Sequence, residues 1–160
     1  MKLLKGSRKV NISKARLKKE FFSIVLMIAF GGLFYIGINS LQSFNGKRAF
    51  AKTGLEPLTL AQAMEKAQAQ GKPILADFSA YWCGYCVKLD KEVFTDKAVK
   101  SVIDSSYIYA RIDSESDEAA YFRKTYQAYG FPTLVILKPD GTLVKKLEVT
   151  FEPSAFLQQI

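Results

Sequence analysis

The chain has 160 residues, with 23 Lys and Arg against 15 Asp and Glu, no His, two Cys and a formal net charge of +8. The missing His removes Ser-His-Asp and Cys-His catalysis and every imidazole metal site, and two cysteines are too few for a structural zinc centre or a disulfide-dense scaffold. A basic chain invites a nucleic-acid reading, and that reading depends on where the charge sits.

The charge sits at the N-terminus. Residues 1–20 carry Lys2, Lys5, Arg8, Lys9, Lys14, Arg16, Lys18 and Lys19 against Glu20 alone, and beyond them the charges nearly cancel. A near-neutral body implies no basic groove, so nucleic acid drops out as a partner. From Phe21 to Gly46 no residue is charged, and the apolar stretch 21–41 has the length that a helix needs to cross a bilayer. Gly31, Gly32 and Gly37 are ordinary in such a span. Basic residues before the span predict a cytoplasmic tail over 1–20 lying against anionic lipid, with the rest of the chain outside. The small-x-small triplet Ala49-Phe50-Ala51 would suit a cleaved leader. The long apolar stretch, with Lys47 and Arg48 just before that triplet, favours an uncleaved anchor. Residues 42–57 read as a linker, punctuated by Ser43, Asn45, Gly46, Gly54 and Pro57.

Residues 58–160 read as one α/β domain. Thr59 and Gln62 form a capping-box pattern for a helix over 60–70, with Gly71 as its stop. The apolar run 74–79 predicts a strand buried on both faces. A helix follows Cys83, a second starts after Thr95 as its cap, 107–112 reads as a strand and 117–126 as a helix. Gly130-Phe131-Pro132-Thr133 breaks the chain before a strand over 134–137. Pro139-Asp140-Gly141 predicts a hairpin with a return strand over 142–149, and Pro153 opens a short last helix. Strands separated by helices imply a parallel portion and the hairpin adds an antiparallel edge. The predicted architecture is a three-layer sandwich, a mixed central sheet with helices on both faces.

The chemistry rests on Cys83 and Cys86, the two cysteines, two residues apart at a strand-to-helix turn. The unpaired N–H groups of a helix start favour a thiolate at Cys83, and Cys86 lies one turn further in. A stabilised thiolate both attacks disulfides and leaves well, so Cys83 is the expected attacking group and Cys86 the resolving one. Half a zinc site, a copper carrier and a structural disulfide fit less well. No further thiol or imidazole exists to complete a metal site, and closing a two-residue loop restricts the unfolded chain little. No metal is expected, and the cofactor is the dithiol itself.

The segment Asp77-Phe78-Ser79-Ala80-Tyr81-Trp82-Cys83-Gly84-Tyr85-Cys86 resembles the active-site segment of the thioredoxin superfamily, and Gly130-Phe131-Pro132-Thr133-Leu134 resembles its cis-proline segment. The resemblance implies that Asp77 is a buried carboxylate taking the Cys86 proton and that Trp82 shields the site. It also implies that Pro132 is cis, with the Phe131 backbone pairing with an extended substrate. Tyr85, standing where thioredoxin has Pro, falls on the same substrate-binding side. The stretch from Cys86 through Glu92-Val93-Phe94-Thr95-Asp96 is similar to the C-terminal domain of bacterial transmembrane disulfide reductases. The resemblance implies a single-pass protein of the cell (inner) membrane whose periplasmic domain reduces disulfides of envelope proteins, for example in cytochrome c maturation. A membrane protein would supply its electrons. Cys-Gly-Tyr-Cys also resembles periplasmic disulfide isomerases, so an isomerase or oxidase is the nearer alternative. A tethered peptide-binding or chaperone module is the alternative of another class. Two departures stand out: the thioredoxin groove glycine is absent around Val149-Thr150, and the last helix is short.

Overall fold

The computed structural model describes residues 14–160. Of the basic tail, residues 1–13 lie outside the described residues. The chain divides into two units, Met1–Ile38 and Asn39–Ile160. In the first, helix α1 (Lys14–Ala51) begins, and its apolar side chains from Phe21 to Ile36 are exposed. This helix is long and apolar enough to cross a membrane, and no part of its apolar window is buried. A helix in a soluble core would have that window covered.

The second unit contains the sheet. It comprises α2 (Leu60–Gln70), β1 (Ile74–Ser79), α3 (Gly84–Leu89), α4 (Lys97–Ser106), β2 (Ile108–Asp113), α5 (Ala119–Tyr126), β3 (Thr133–Leu137), β4 (Leu143–Lys146) and α6 (Pro153–Leu157). The strand order is β2-β1-β3-β4. β1 runs parallel to β2, with Asp77 opposite Arg111, and antiparallel to β3, with Asp77 opposite Leu134. The Asp-Gly turn joins β3 to β4, and Gly141 takes a φ of 84°, where a side chain would be strained. β4 is an exposed edge carrying Lys145 and Lys146, charges that discourage further strand pairing.

Local chemistry explains the element ends. Thr59 and Gln62 form a reciprocal capping box, and Gly71 closes α2 in the left-handed conformation. The Glu118 carboxylate accepts from Leu60 and Ala61 N–H at 2.9 and 3.1 Å, tying the start of α5 to α2. Asp96, not Thr95, caps α4; its Oδ1 accepts from Ala98 and Val99 N–H, because a carboxylate one residue later meets both orphan donors. Thr95 instead donates back to Lys91 O. A π-helical turn, Asp90–Phe94, extends α3.

Alternation along β1 splits the core. Ile74, Ala76 and Phe78 pack with Leu60, Ala63, Phe122 and Tyr126 of α2 and α5. Leu75 faces the other way, with Leu89, Phe94, Val99, Ile103 and Phe156. Asp77 and Ser79 share that second face with Tyr109 and Arg111 of β2.

The expected linker 42–57 is corrected here: α1 continues through Ala51, and Ala49, Phe50 and Leu55 are buried in the second core. Ser43, Asn45 and Gly46 are not punctuation. Gly46 lies flat against the backbone of Tyr81, where a Cβ would fall 1.9 Å from the Tyr81 carbonyl oxygen. The small residue allows the helix to pass close to the loop, and Phe50, one turn on, fills the space beyond.

The second face also holds an ionic cluster. The Arg111 guanidinium donates to Asp77 Oδ2 at 3.0 Å and to both oxygens of Asp90 at 2.9 and 3.2 Å. All three side chains are essentially unexposed. Burial pushes the Asp90 carboxyl up from its ordinary 3.8 to about 6, outweighing the pull of Arg111. Between those values the unfolded chain gives up this proton first, so the group's contribution to stability falls as pH rises through that window.

Two expected outcomes follow for stability. Gly46→Ala should destabilise the second unit by roughly 1–3 kcal/mol by overpacking, although Ala in an open helix gains about 1 kcal/mol over Gly; thermal melts of the full chain in detergent measure the sign. Denaturant titrations from pH 4 to 6.5 should show wild-type stability falling by up to about 3 kcal/mol relative to Asp90→Asn, because unequal proton binding by the folded and unfolded chains makes stability depend on pH. Parallel curves for the two proteins would remove Asp90 as the titrating group.

Candidate active site

The site forms where β1 runs out. Ser79 and Ala80 end the strand, Tyr81 and Trp82 turn the chain, and Cys83 becomes the N-cap of α3 with extended backbone. An N-cap side chain points at the free N–H groups of the first turn. Cys83 Sγ accepts from Cys86 N–H at 3.4 Å, so the cysteine spacing follows from helix-cap geometry. Both cysteines are free thiols. Cys83 is 8% exposed and Cys86 1%, so Cys83 is the more accessible of the two.

The two sulfurs are electrostatically unlike. Burial pushes the Cys86 thiol well above its ordinary range; its hydrogen bond with Cys83 adds to this, as does the negative charge of Asp77. Cys86 therefore holds its proton in the dithiol form and must lose it before it can act as a nucleophile. Asp77 is fully buried on the same side of the sheet. Its Oδ1 accepts from Ser79 Oγ, and its Oδ2 accepts from Tyr109 Oη at 2.9 Å and from Arg111. Burial, then the nearness of Asp77, raises the Tyr109 phenol, which stays a donor at any physiological pH. Burial alone would lower Arg111, but Asp77, Tyr109 and Asp90 outweigh it and the guanidinium is fixed in its charged form.

Aromatic groups frame the sulfurs. Trp82, 41% exposed, meets Phe131 edge-to-face at 5.7 Å, and Phe131 rests on Phe78 at 4.9 Å. The Phe131–Pro132 peptide is cis, and the Phe131 carbonyl oxygen lies 4.0 Å from Cys83 Sγ. Tyr85 is exposed and stacks on Phe151 at 6.1 Å, with Lys88 Nζ 4.3 Å from the Phe151 ring centre. Phe131 and the two cysteines thus come together in one small cluster, Trp82 adjoins it through Phe131, and Tyr85 stands at the outer rim.

Four participants escaped the sequence reading: Arg111, Asp90, Tyr109 and Phe50. The Arg111 guanidinium lies 4.3 Å from the Phe50 ring centre and 5.0 Å from that of Tyr81, so two rings close over the charge. A lone arginine in the apolar strand 107–112, and an aspartate one turn after Cys86 on a buried helix face, were the available signals. Among the described residues, no group of three or more His, Cys, Asp and Glu is arranged to hold a metal ion.

Known proteins resemble this chain in sequence and in fold. A thiol:disulfide interchange protein DsbD from Yersinia enterocolitica is 32% identical over 97 residues, covering 59% of this chain and 17% of that protein. The chain therefore spans less than a fifth of the curated relatives it matches. A putative disulphide-isomerase from Bacteroides thetaiotaomicron superposes with a TM-score of 0.58 at 27% identity, covering 65% of this chain and 86% of that one. The oxidised C-terminal domain of Neisseria meningitidis DsbD shares the fold, with a TM-score of 0.55 at 22% identity over 64% of this chain and 95% of that one. Residues 56–139, just over half of the chain, match the thioredoxin-like family. The chain belongs to that family, with the dithiol of its thiol–disulfide oxidoreductases in place.

Proposed function

We propose that this chain is a membrane-tethered thiol–disulfide oxidoreductase that reduces disulfides of envelope proteins. The observation that carries the reading is the asymmetry of the dithiol, with Cys83 at a helix N-cap and Cys86 more deeply buried behind it, where burial above all raises the thiol. The Cys83 thiolate attacks a substrate sulfur, forming a mixed disulfide and expelling one substrate thiolate. Asp77 takes the Cys86 proton, and the Cys86 thiolate attacks Cys83 Sγ. The second substrate thiolate leaves. Two electrons pass from the dithiol to the substrate, whose two sulfurs end as thiols, and the chain ends as the Cys83–Cys86 disulfide. Phe131 offers backbone beside the cis Pro132 to an extended substrate, while Trp82 and Tyr85 border it.

In this reading residues 1–20 are a cytoplasmic tail, 21–41 cross the cell (inner) membrane, and the thioredoxin-like body works on the periplasmic side. The exposed apolar helix and the basic N-terminus support that topology. The catalytic disulfide must be reduced again from outside the chain, so a membrane electron-donor protein is the implied partner. Relatives named thiol:disulfide interchange proteins support the exchange chemistry. Likeness to a putative disulphide-isomerase supports isomerisation as the second reading.

Insulin reduction by dithiothreitol should be accelerated by the full chain and not by Cys83→Ser. No acceleration by wild type would leave a binding module. Cys86→Ser should trap a mixed disulfide on Cys83, and Asp77→Asn should slow its resolution at least about tenfold; resolution at the wild-type rate would take Asp77 out of proton transfer. A potential near roughly −270 mV for the pair would favour a reductase, near −180 mV an isomerase and near −120 mV an oxidase.

A further inference from the structure

The end of α1 supplies one wall of a cavity beside Cys83. Gln42 and Asn45 line it from the helix; Trp82, Gly84 and Val87 line it from the active-site turn and α3; its volume is about 250 Å³. Both amide side chains are exposed, and among the described residues neither makes a hydrogen bond within the protein. The wall is fixed in place, because Gly46 contacts the Tyr81 backbone with no room for a Cβ. Asn45 also borders a second cavity of about 370 Å³, lined by Arg48, Lys52 and Lys91. Among the described residues none of these three cations forms an ion pair; the neighbouring Glu92 is held by Lys88 at 3.7 Å.

A mixed disulfide fixes what must pass here. Its two Cα atoms lie about 4.4–6.8 Å apart, so the residues flanking the attacked cysteine come close to Trp82 and Gly84, the chain neighbours of Cys83. The Phe131 carbonyl oxygen lies 4.0 Å from Cys83 Sγ, and Gln42 and Asn45 share their cavity with Trp82 and Gly84. Lys91 lies about 12 Å along the helix from Cys83 at 1.5 Å per residue, a distance that an extended chain covers in about four residues.

We propose that the α1 end is a substrate subsite: Gln42 and Asn45 hydrogen-bond the main chain flanking the attacked cysteine, and Arg48, Lys52 and Lys91 select an acidic side chain about four residues away. The occupant is an extended, cysteine-bearing segment with a carboxylate, and it is chosen by charge complementarity. This assignment rests on the exchange chemistry proposed above.

The test uses the full chain, reduced, in phosphatidylcholine and in phosphatidylglycerol nanodiscs. Single-turnover reduction of peptide disulfides is followed through Trp82, the single tryptophan. The peptides carry Glu or Lys three and four residues from the cysteine, on each side in turn. On one side the Glu peptide should react about tenfold faster than the Lys peptide at low salt, with the gap closing as salt is raised. The Glu-to-Lys rate ratio should fall toward one in Lys52→Gln/Lys91→Gln and invert in Lys91→Glu; a ratio cancels any general loss of folded protein. Equal rates on both sides, or a ratio untouched by these substitutions, overturn the subsite. A preference present in phosphatidylcholine but lost in phosphatidylglycerol also overturns it, since headgroups would then occupy the basic cavity. Neutral hydroxyethyl disulfide is the control for the chemistry: a wild-type chain that fails to reduce it defeats the oxidoreductase reading, whereas a chain that reduces it without peptide preference defeats only the subsite.

Discussion

One buried cation organises this site. Arg111 sits in a strand whose neighbours are fully covered, and its guanidinium has no water to turn to. A lone charge there would cost several kcal/mol, so its partners are obligatory. Asp77 comes from the adjacent strand by register, and Asp90 from the π-helical turn that follows α3. Two carboxylates against one guanidinium leave an unbalanced negative charge. The balance is restored when one acid keeps a proton, which is the sense in which burial moves Asp90. The charge of the same cluster reaches Cys86, because the negative Asp77 adds to the burial that raises this thiol.

The same cation explains why distant pieces of chain converge. Tyr109 and Ser79 complete the coordination of Asp77, while Phe50 and Tyr81 cover the face of the guanidinium that no carboxylate reaches. Tyr81 is also the residue against which Gly46 lies and the one that leads through Trp82 into Cys83. The position of Cys83, the burial of Asp77 and the seating of the α1 end therefore depend on one cluster. Removing either carboxylate changes all three together, because breaking one partner of a buried pair leaves the other charge uncompensated.

Which parts were legible in the sequence follows from the range of the forces involved. The capping box of α2, the Asp-Gly turn and the strand β1 are written in contiguous residues, and they form over the residues that the pattern marks. The cysteine pair is local too, since N-cap geometry alone brings Cys83 to the Cys86 amide. Asp90 and Arg111 carry no such local mark. Each looks like an ordinary surface charge until β1, β2 and the π-helical turn are assembled. The segment 42–51 was misleading for a related reason. Its Ser, Asn and Gly lower helix propensity, yet Gly46 is there to admit the Tyr81 backbone, and tertiary contact outweighs propensity. Tyr85 likewise finds Phe151 only because β4 and the segment after it return to the site.

The boundary of the working unit moves accordingly. A pattern of apolar span, loop and domain would begin the redox body near Leu58. The contacts begin it at Asn39. Between those two positions lie Gly46, Phe50 and Leu55, all of them buried. A body that began at Leu58 would lose the ring over the Arg111 guanidinium and let water reach a cation whose partners are balanced for a dry site. Water there weakens the electrostatic link between Asp77 and the Cys86 thiol, since the interaction scales inversely with the local dielectric. The end of α1 is thus part of the packed cluster beneath the cysteine turn.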